Sequence, residues 1–170
     1  LNGYGDNIKV IPNYISILKS HPSKCLLVDK LKEEFGQMKF DIIIGNPPYQ
    51  EATQSIYHHF INHAIALHPK HLMMVVKNNW VQSETLKPTR DKIEKIIDYP
   101  IQGEVFPSIG VAVNVFHIDS GHKSKGYADI STIKNGQVVD KFNCNMKALP
   151  FIPLSQMDFN ITCKVVSQMR

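Results

Sequence analysis

Four consecutive residues, Asn46-Pro47-Pro48-Tyr49, combine types that can do chemistry together. Each proline sets its own φ near about −65°, and Asn46 and Pro47, both preceding a proline, are driven to extended or polyproline backbone. Prolines have no N–H, yet Pro47 keeps a carbonyl that can accept a hydrogen bond. The product is a stiff hook presenting the amide oxygen of Asn46 and the carbonyl oxygen of Pro47, with the flat ring of Tyr49 beside them. Two fixed acceptors suit a planar amino group, whose delocalised lone pair makes it a weak nucleophile. Held by both hydrogens, the nitrogen is drawn toward tetrahedral geometry and can attack an activated methyl in line, its developing positive charge stabilised by the same dipoles. No titrating base is required. Read alone, the tetrapeptide is equally compatible with an incidental Pro-Pro turn. The run before it favours the site.

That run, Phe40-Asp41-Ile42-Ile43-Ile44-Gly45, reads as a strand buried on both faces of a parallel sheet. Around it the chain alternates. Cys25 to Val28 reads as a strand ending in Asp29, preceded by a helix near Asn13 to Ser20. Ile56, Phe60, Ala64 and Leu67 form one face of a helix over about Gln54 to His68, and His71 to Lys77 is the next strand. Leu86, Ile93, Ile96 and Ile97 suggest a helix between Ser83 and Ile97, with Pro88 in its first turn. Ile97 to Tyr99 and Val111 to Ile118 are further strands, and Asn135-Gly136 marks a type I′ hairpin within Tyr127 to Phe142. A helix is expected to begin near Ile161. The predicted class is α/β, with mostly parallel strands, flanking helices and a terminal antiparallel hairpin. In such sheets ligands bind at the carboxyl ends of strands, which is where the hook stands.

The whole chain is consistent with one globular domain. It has 170 residues, 43% of them apolar and 20% charged, which excludes wholesale disorder and rod-like folds. No apolar run approaches the roughly 20 residues of a membrane helix, so no membrane partner is expected. A net charge of +4 permits a phosphate-rich partner without demanding one. The three cysteines, Cys25, Cys144 and Cys163, are odd in number and far apart, which speaks for a reducing, cytoplasmic setting.

The segment Lys39 to Tyr49 resembles catalytic motif IV of S-adenosylmethionine-dependent amino methyltransferases, especially DNA N6-adenine methyltransferases of the gamma type. The tetrapeptide also occurs in release-factor glutamine methyltransferases and some ribosomal RNA guanine methyltransferases. Downstream, Ile56 to Trp80 resembles motifs V and VI, although Lys77 stands where that family often has proline. Gly103 to Val113 resembles motif VIII of the DNA enzymes. The resemblance implies a Rossmann-like methyltransferase sheet, of which this chain carries the second half. It implies that Asn46, Pro47, Pro48 and Tyr49 are catalytic, that Tyr49 and Phe106 stack on the two faces of a flipped adenine, and that Asp29 and Asn46 contact the cofactor, S-adenosylmethionine. Aromatic stacking of about 1–3 kcal/mol per base offsets part of the flipping cost.

The implied partners are double-stranded DNA, the remainder of the same methyltransferase chain, and a restriction endonuclease of the same system. The family's glycine-rich cofactor motif has no counterpart here and the chain opens on Leu1, so residues 1–148 are expected to be a partial catalytic domain, inactive in isolation. Residues 149–170 are expected to begin a target recognition domain or linker. A glutamine or RNA amino methyltransferase and a non-catalytic DNA-binding fragment remain alternatives. Other features are read as background. His58, His59, His63, His68 and His71 are expected to face solvent near DNA rather than to hold a metal, because HExxH spacing and a cysteine cluster are lacking. Lys87, Arg90, Lys92 and Lys95 are expected to form a solvated basic helix face. Trp80 fits either the core or a DNA cleft.

Overall fold

In the computed structural model, residues 39–51, 54–121, 126–149 and 152–168 are described, with Glu33 and Gly36. The expected helix near Asn13, the strand Cys25 to Val28 and Asp29 lie outside the described residues. From Lys39 onward the chain forms one unit. Its elements are β1 (Ile42–Gly45), a minimal hairpin of β2 (Gln50–Glu51) and β3 (Gln54–Ser55), α1 (Tyr57–Ala66), β4 (His71–Lys77), 3₁₀ segments over Asn78–Gln82 and Glu84–Lys92, β5 (Ile93–Tyr99), β6 (Val113–Asp119), β7 (Tyr127–Lys134), β8 (Gln137–Asn145) and α2 (Gln156–Gln168).

Six strands form one sheet in the order β1-β4-β6-β5-β7-β8. β1 pairs parallel with β4 and β5 parallel with β7, while β6 runs antiparallel between β4 and β5 and β8 antiparallel to β7. Four strands therefore share one direction, as expected, and only β6 and β8 oppose them. The α/β class and the terminal hairpin are both present. The ladder is mixed because β6 lies between β4 and β5 and runs antiparallel to both.

Strict alternation along β4 sends Leu72, Met74 and Val76 into the core and leaves Met73 outside. On the same face lie Ile96, Phe116, Ile118, Ile130, Phe142 and Cys144, with Trp80 and Leu86 among the residues packed with them. Trp80 is fully buried and stacks on Phe116 with ring centroids 4.3 Å apart, so it belongs to the core. α1 buries Tyr57, Ile61 and Ala64, and Ile56 just before it is buried too, so of the expected face Ile56 and Ala64 are inside while Phe60 and Leu67 are half-buried. It ends where His68 adopts a left-handed φ of 51° ahead of Pro69. In the hairpin, Asn135 and Gly136 both have positive φ, as a type I′ turn requires. Ser155 caps α2, accepting from Asp158 N–H at 3.1 Å and donating to the Asp158 carboxylate at 2.7 Å. The helix is tied to the sheet by the Phe142–Phe159 ring contact and by Gln156 N–H donating to Asp140 at 2.6 Å.

Two expectations are corrected. Residues 84–92 form 3₁₀ turns, and Ile93, Ile96 and Ile97 belong to a seven-residue strand rather than a helix. The helical-looking spacing has a local cause: the β5–β6 register slips between Ile93 and Lys95, so Glu94 is the extra residue of a bulge. Ile93 and Ile96 therefore both reach the core although three positions apart. The second correction concerns β1. It is an edge of the described sheet, and Ile42 and Ile44 are 58% and 73% exposed, so only the Ile43 face is packed.

Candidate active site

Because β1, β4 and β5 point the same way, their carboxyl ends meet at one edge of the sheet. β1 delivers Asn46 to Tyr49 there, β4 delivers Lys77 and Asn78, and β5 delivers the loop from Pro100 to Ala112 with Phe106. The four hook residues and Phe106 are thus brought to one edge by strand direction alone. β4 and β6 separate β1 from β5, which is three strand spacings or roughly 14 Å at the sheet. Among the described residues Tyr49 and Phe106 make no ring contact with each other.

Within the hook, Pro47 is buried, Asn46 and Pro48 are exposed, and Tyr49 is half-buried. Pro47 anchors the turn while its neighbours stay accessible. The Tyr49 carbonyl is occupied, accepting from Ile56 N–H and from the Ser55 hydroxyl, each at 3.4 Å. These bonds close the root of the β2–β3 hairpin and hold the ring in place. Among the described residues the Asn46 side chain and the Pro47 carbonyl have no hydrogen-bond partner, so neither acceptor is occupied by them. The Tyr49 hydroxyl is buried without a partner, and burial pushes its pKa up. Tyr49 is therefore a neutral ring at physiological pH.

The loop that carries Phe106 is braced from several sides. Ile109 and Gly110 N–H groups both donate to the Phe106 carbonyl, at 3.0 and 3.3 Å, and Gly103 N–H donates to Val111 at 3.3 Å. Gly103 and Gly110 supply the left-handed φ values of 77° and 61° that these turns need. Asn78 N–H donates to the Ala112 carbonyl at 3.1 Å, tying the end of the loop to the end of β4. At its root, Asp98 of β5 faces Asn114 of β6, and the Asn114 amide donates to the carboxylate at 2.5 Å. Asp98 is 3% exposed, and burial raises its pKa to about 6 against the opposing effects of the Asn114 bond and the Lys134 charge. Sequence reasoning missed this pair. Its signal was present: an acid in Ile96-Ile97-Asp98 and an amide in Val113-Asn114-Val115, each a polar residue inside an apolar strand.

Other expected features separate on inspection. His63 is buried in α1 rather than facing solvent, because the helix is covered beyond its apolar stripe. Arg90, expected on a solvated basic face, is only 4% exposed, since the tight 3₁₀ turns roll it inward while Lys87 and Lys92 stay outside.

The fold and the hook define a class: an α/β protein that carries an Asn-Pro-Pro-Tyr turn at the carboxyl end of a strand. Residues 6–106 match the Eco57I restriction-modification methylase family, and the chain belongs to it. It is 40% identical over 75 residues to an uncharacterised adenine-specific methylase of Mycoplasma pneumoniae, covering 38% of this chain and 18% of that protein. The chain thus spans less than a fifth of that relative's length. Among solved structures, it is similar to the EcoKI M protein of a type I restriction enzyme (18% identity, 73% of this chain and 34% of that one, TM-score 0.46). It is also similar to a type I restriction-modification methyltransferase subunit from Streptococcus thermophilus (10% identity, 84% and 35%, TM-score 0.45).

Proposed function

We propose that this chain supplies the amino-acceptor part of an active site that methylates adenine N6 in DNA, within a restriction-modification system. The observation that carries this reading is the pair of unpartnered acceptors, Asn46 and the Pro47 carbonyl, held at a strand end beside a neutral Tyr49. Their chemistry fits the reaction, since the transfer calls for fixed dipoles around the nitrogen and not for an acid or a base. S-adenosylmethionine would supply the methyl group from a sulfonium, which becomes a neutral thioether as the N6–carbon bond forms. Asn46 and Pro47 accept one amino hydrogen each and pull the lone pair toward the methyl. Tyr49 stacks on one face of the flipped adenine, and Phe106, from the braced loop, closes on the other. After transfer, one N6 hydrogen leaves to solvent and the amino group regains its planarity. Of the two expected cofactor contacts, Asn46 stands at this edge with its side chain exposed. Asp29 would provide the other.

Double-stranded DNA, the rest of the methylase chain and a cognate endonuclease are the partners of this proposal. The short share of the Mycoplasma relative that the chain covers supports a further part of it: alone, this polypeptide binds the cofactor weakly and is inactive. Calorimetry should give no micromolar S-adenosylmethionine binding to the isolated chain. The decisive experiment joins the chain to the upstream segment carrying the cofactor motif and measures labelled methyl transfer to duplex DNA, RNA and release factor. Incorporation into adenine of DNA that Asn46→Ala lowers by about 10²–10³-fold is expected. Transfer indifferent to that substitution, or directed to RNA or protein, would overturn the assignment.

A further inference from the structure

At the amino ends of β5 and β7, opposite the hook, a cavity of about 310 Å³ opens beside the second 3₁₀ segment. Gly126 N–H donates to the Asp91 carbonyl at 2.9 Å, which fixes the cavity at that edge. Lys87, Pro88, Arg90, Asp91, Met146 and Lys147 line it. The two carboxylates nearby are already matched: Lys147 pairs with Asp91 at 3.3 Å and Lys87 with Glu84 at 3.4 Å. Arg90 is left over. Its Nε is buried with no hydrogen-bond partner, and among the described residues its guanidinium has no ion pair. Burial lowers its pKa, a loss that the Glu84 charge only partly offsets. A buried guanidinium Nε–H without a hydrogen-bond partner is a costly arrangement, and a guanidinium's planar fork can donate to an oxyanion along one edge.

We infer that this cavity is a phosphate-binding site with Arg90 as its anchor. Besides Arg90, Lys87 from the 3₁₀ turns and Lys147 from just past β8 line it, both largely exposed and able to exchange their surface pairs with Glu84 and Asp91 for a bound anion. That distribution suits a tetrahedral phosphate better than a planar carboxylate, which a single fork would satisfy. The Pro88 and Met146 side chains give the cavity an apolar wall, and its volume leaves room for an ester substituent. The same chemistry is offered by a free phosphate and by a phosphodiester of nucleic acid. Nothing in this site depends on the hook, which lies at the other edge of the sheet.

The test uses the whole chain, labelled with ¹⁵N, and follows the Arg90 Nε–H resonance together with the backbone amides of Asp91, Gly126 and Lys147 while inorganic phosphate is added at constant ionic strength against a chloride control. A saturable shift specific to phosphate is expected at all of them, and in Arg90→Gln the shifts of the three backbone amides should be lost. Lys147→Gln alters a largely exposed side chain and frees Asp91 to compete for Arg90, so it should keep the fold and weaken binding about tenfold. A short mixed-sequence duplex forms the second arm. Saturation by the duplex at lower concentration assigns the site to a backbone phosphate, and saturation by inorganic phosphate alone assigns it to a small anion. Either supports the inference. An Arg90 resonance that moves equally in chloride and phosphate, or binding undiminished in both variants, overturns it.

Discussion

The β1 edge and the β5–β6 interior belong to one sheet yet are built on opposite terms. At the edge, Ile42 and Ile44 face outward and the chain runs directly into a hook whose acceptors meet no partner among the described residues. In the interior, Trp80 lies on Phe116 and every neighbouring strand contributes apolar contacts. A buried polar pair there, Asp98 and Asn114, is tied across the ladder at 2.5 Å, although the Asn114 side-chain Oδ1 is left without a partner. The difference teaches where each kind of residue can be used. Unsatisfied acceptors are inexpensive at an accessible strand end, where water can donate to them, and costly in a core, where nothing does.

If that division is real, substitutions should separate stability from activity. The largest effect belongs to Trp80→Ala, which removes the buried indole and its stack on Phe116. Urea unfolding should register a loss of about 3–5 kcal/mol, and a small loss would mean that the interior is less closely packed than described. Next, Asn46→Ala should leave the unfolding free energy within about 0.5 kcal/mol of wild type, since its exposed side chain bonds to none of the described residues, while methyl transfer by the joined enzyme falls steeply. A matching fall in stability would blur the contrast.

Asp98 sharpens the comparison from inside the core. Its carboxyl titrates at about 6 in the fold and at 3.8 in the unfolded chain, so the native state holds the proton more tightly. Its contribution to stability is therefore greatest when protonated, declines as pH rises from about 4 to 6, and above that window becomes a constant penalty on the order of 3 kcal/mol. Asp98→Asn keeps an oxygen to accept the Asn114 bond and removes the charge. At pH 8 the variant should be more stable by on the order of 2 kcal/mol, and the difference should vanish toward pH 4. A difference independent of pH would show that Asp98 is not titrating in this window.

The smallest effects lie on the surface. Ile44→Ser should change stability by less than about 0.5 kcal/mol in this chain, and a loss several times larger would turn β1 from an edge into a core strand. Thiol labelling should discriminate the two described cysteines. Burial pushes the Cys144 thiol up to about 11, so it should react only on unfolding, whereas exposed Cys163 should react at once.

What could be read from residue types were the features that local backbone chemistry dictates. Proline geometry specifies the hook, adjacent positive-φ residues specify the turn at Asn135-Gly136, and the short apolar run Leu72 to Val76 marks β4, His71–Lys77, with its observed bounds. Their physical basis is contained within a few neighbouring peptide units, so no distant partner can change it. Tertiary structure alone decided the rest. Whether Ile93, Ile96 and Ile97 make a helix or a bulged strand depends on the ladder with β6, because the same spacing satisfies both. Whether Ile42 and Ile44 are core depends on which strand lies beside β1. Whether Arg90 and Trp80 face solvent depends on how the 3₁₀ turns pack against the sheet. Burial is a property of the partners a segment finds, and those partners lie far away along the chain.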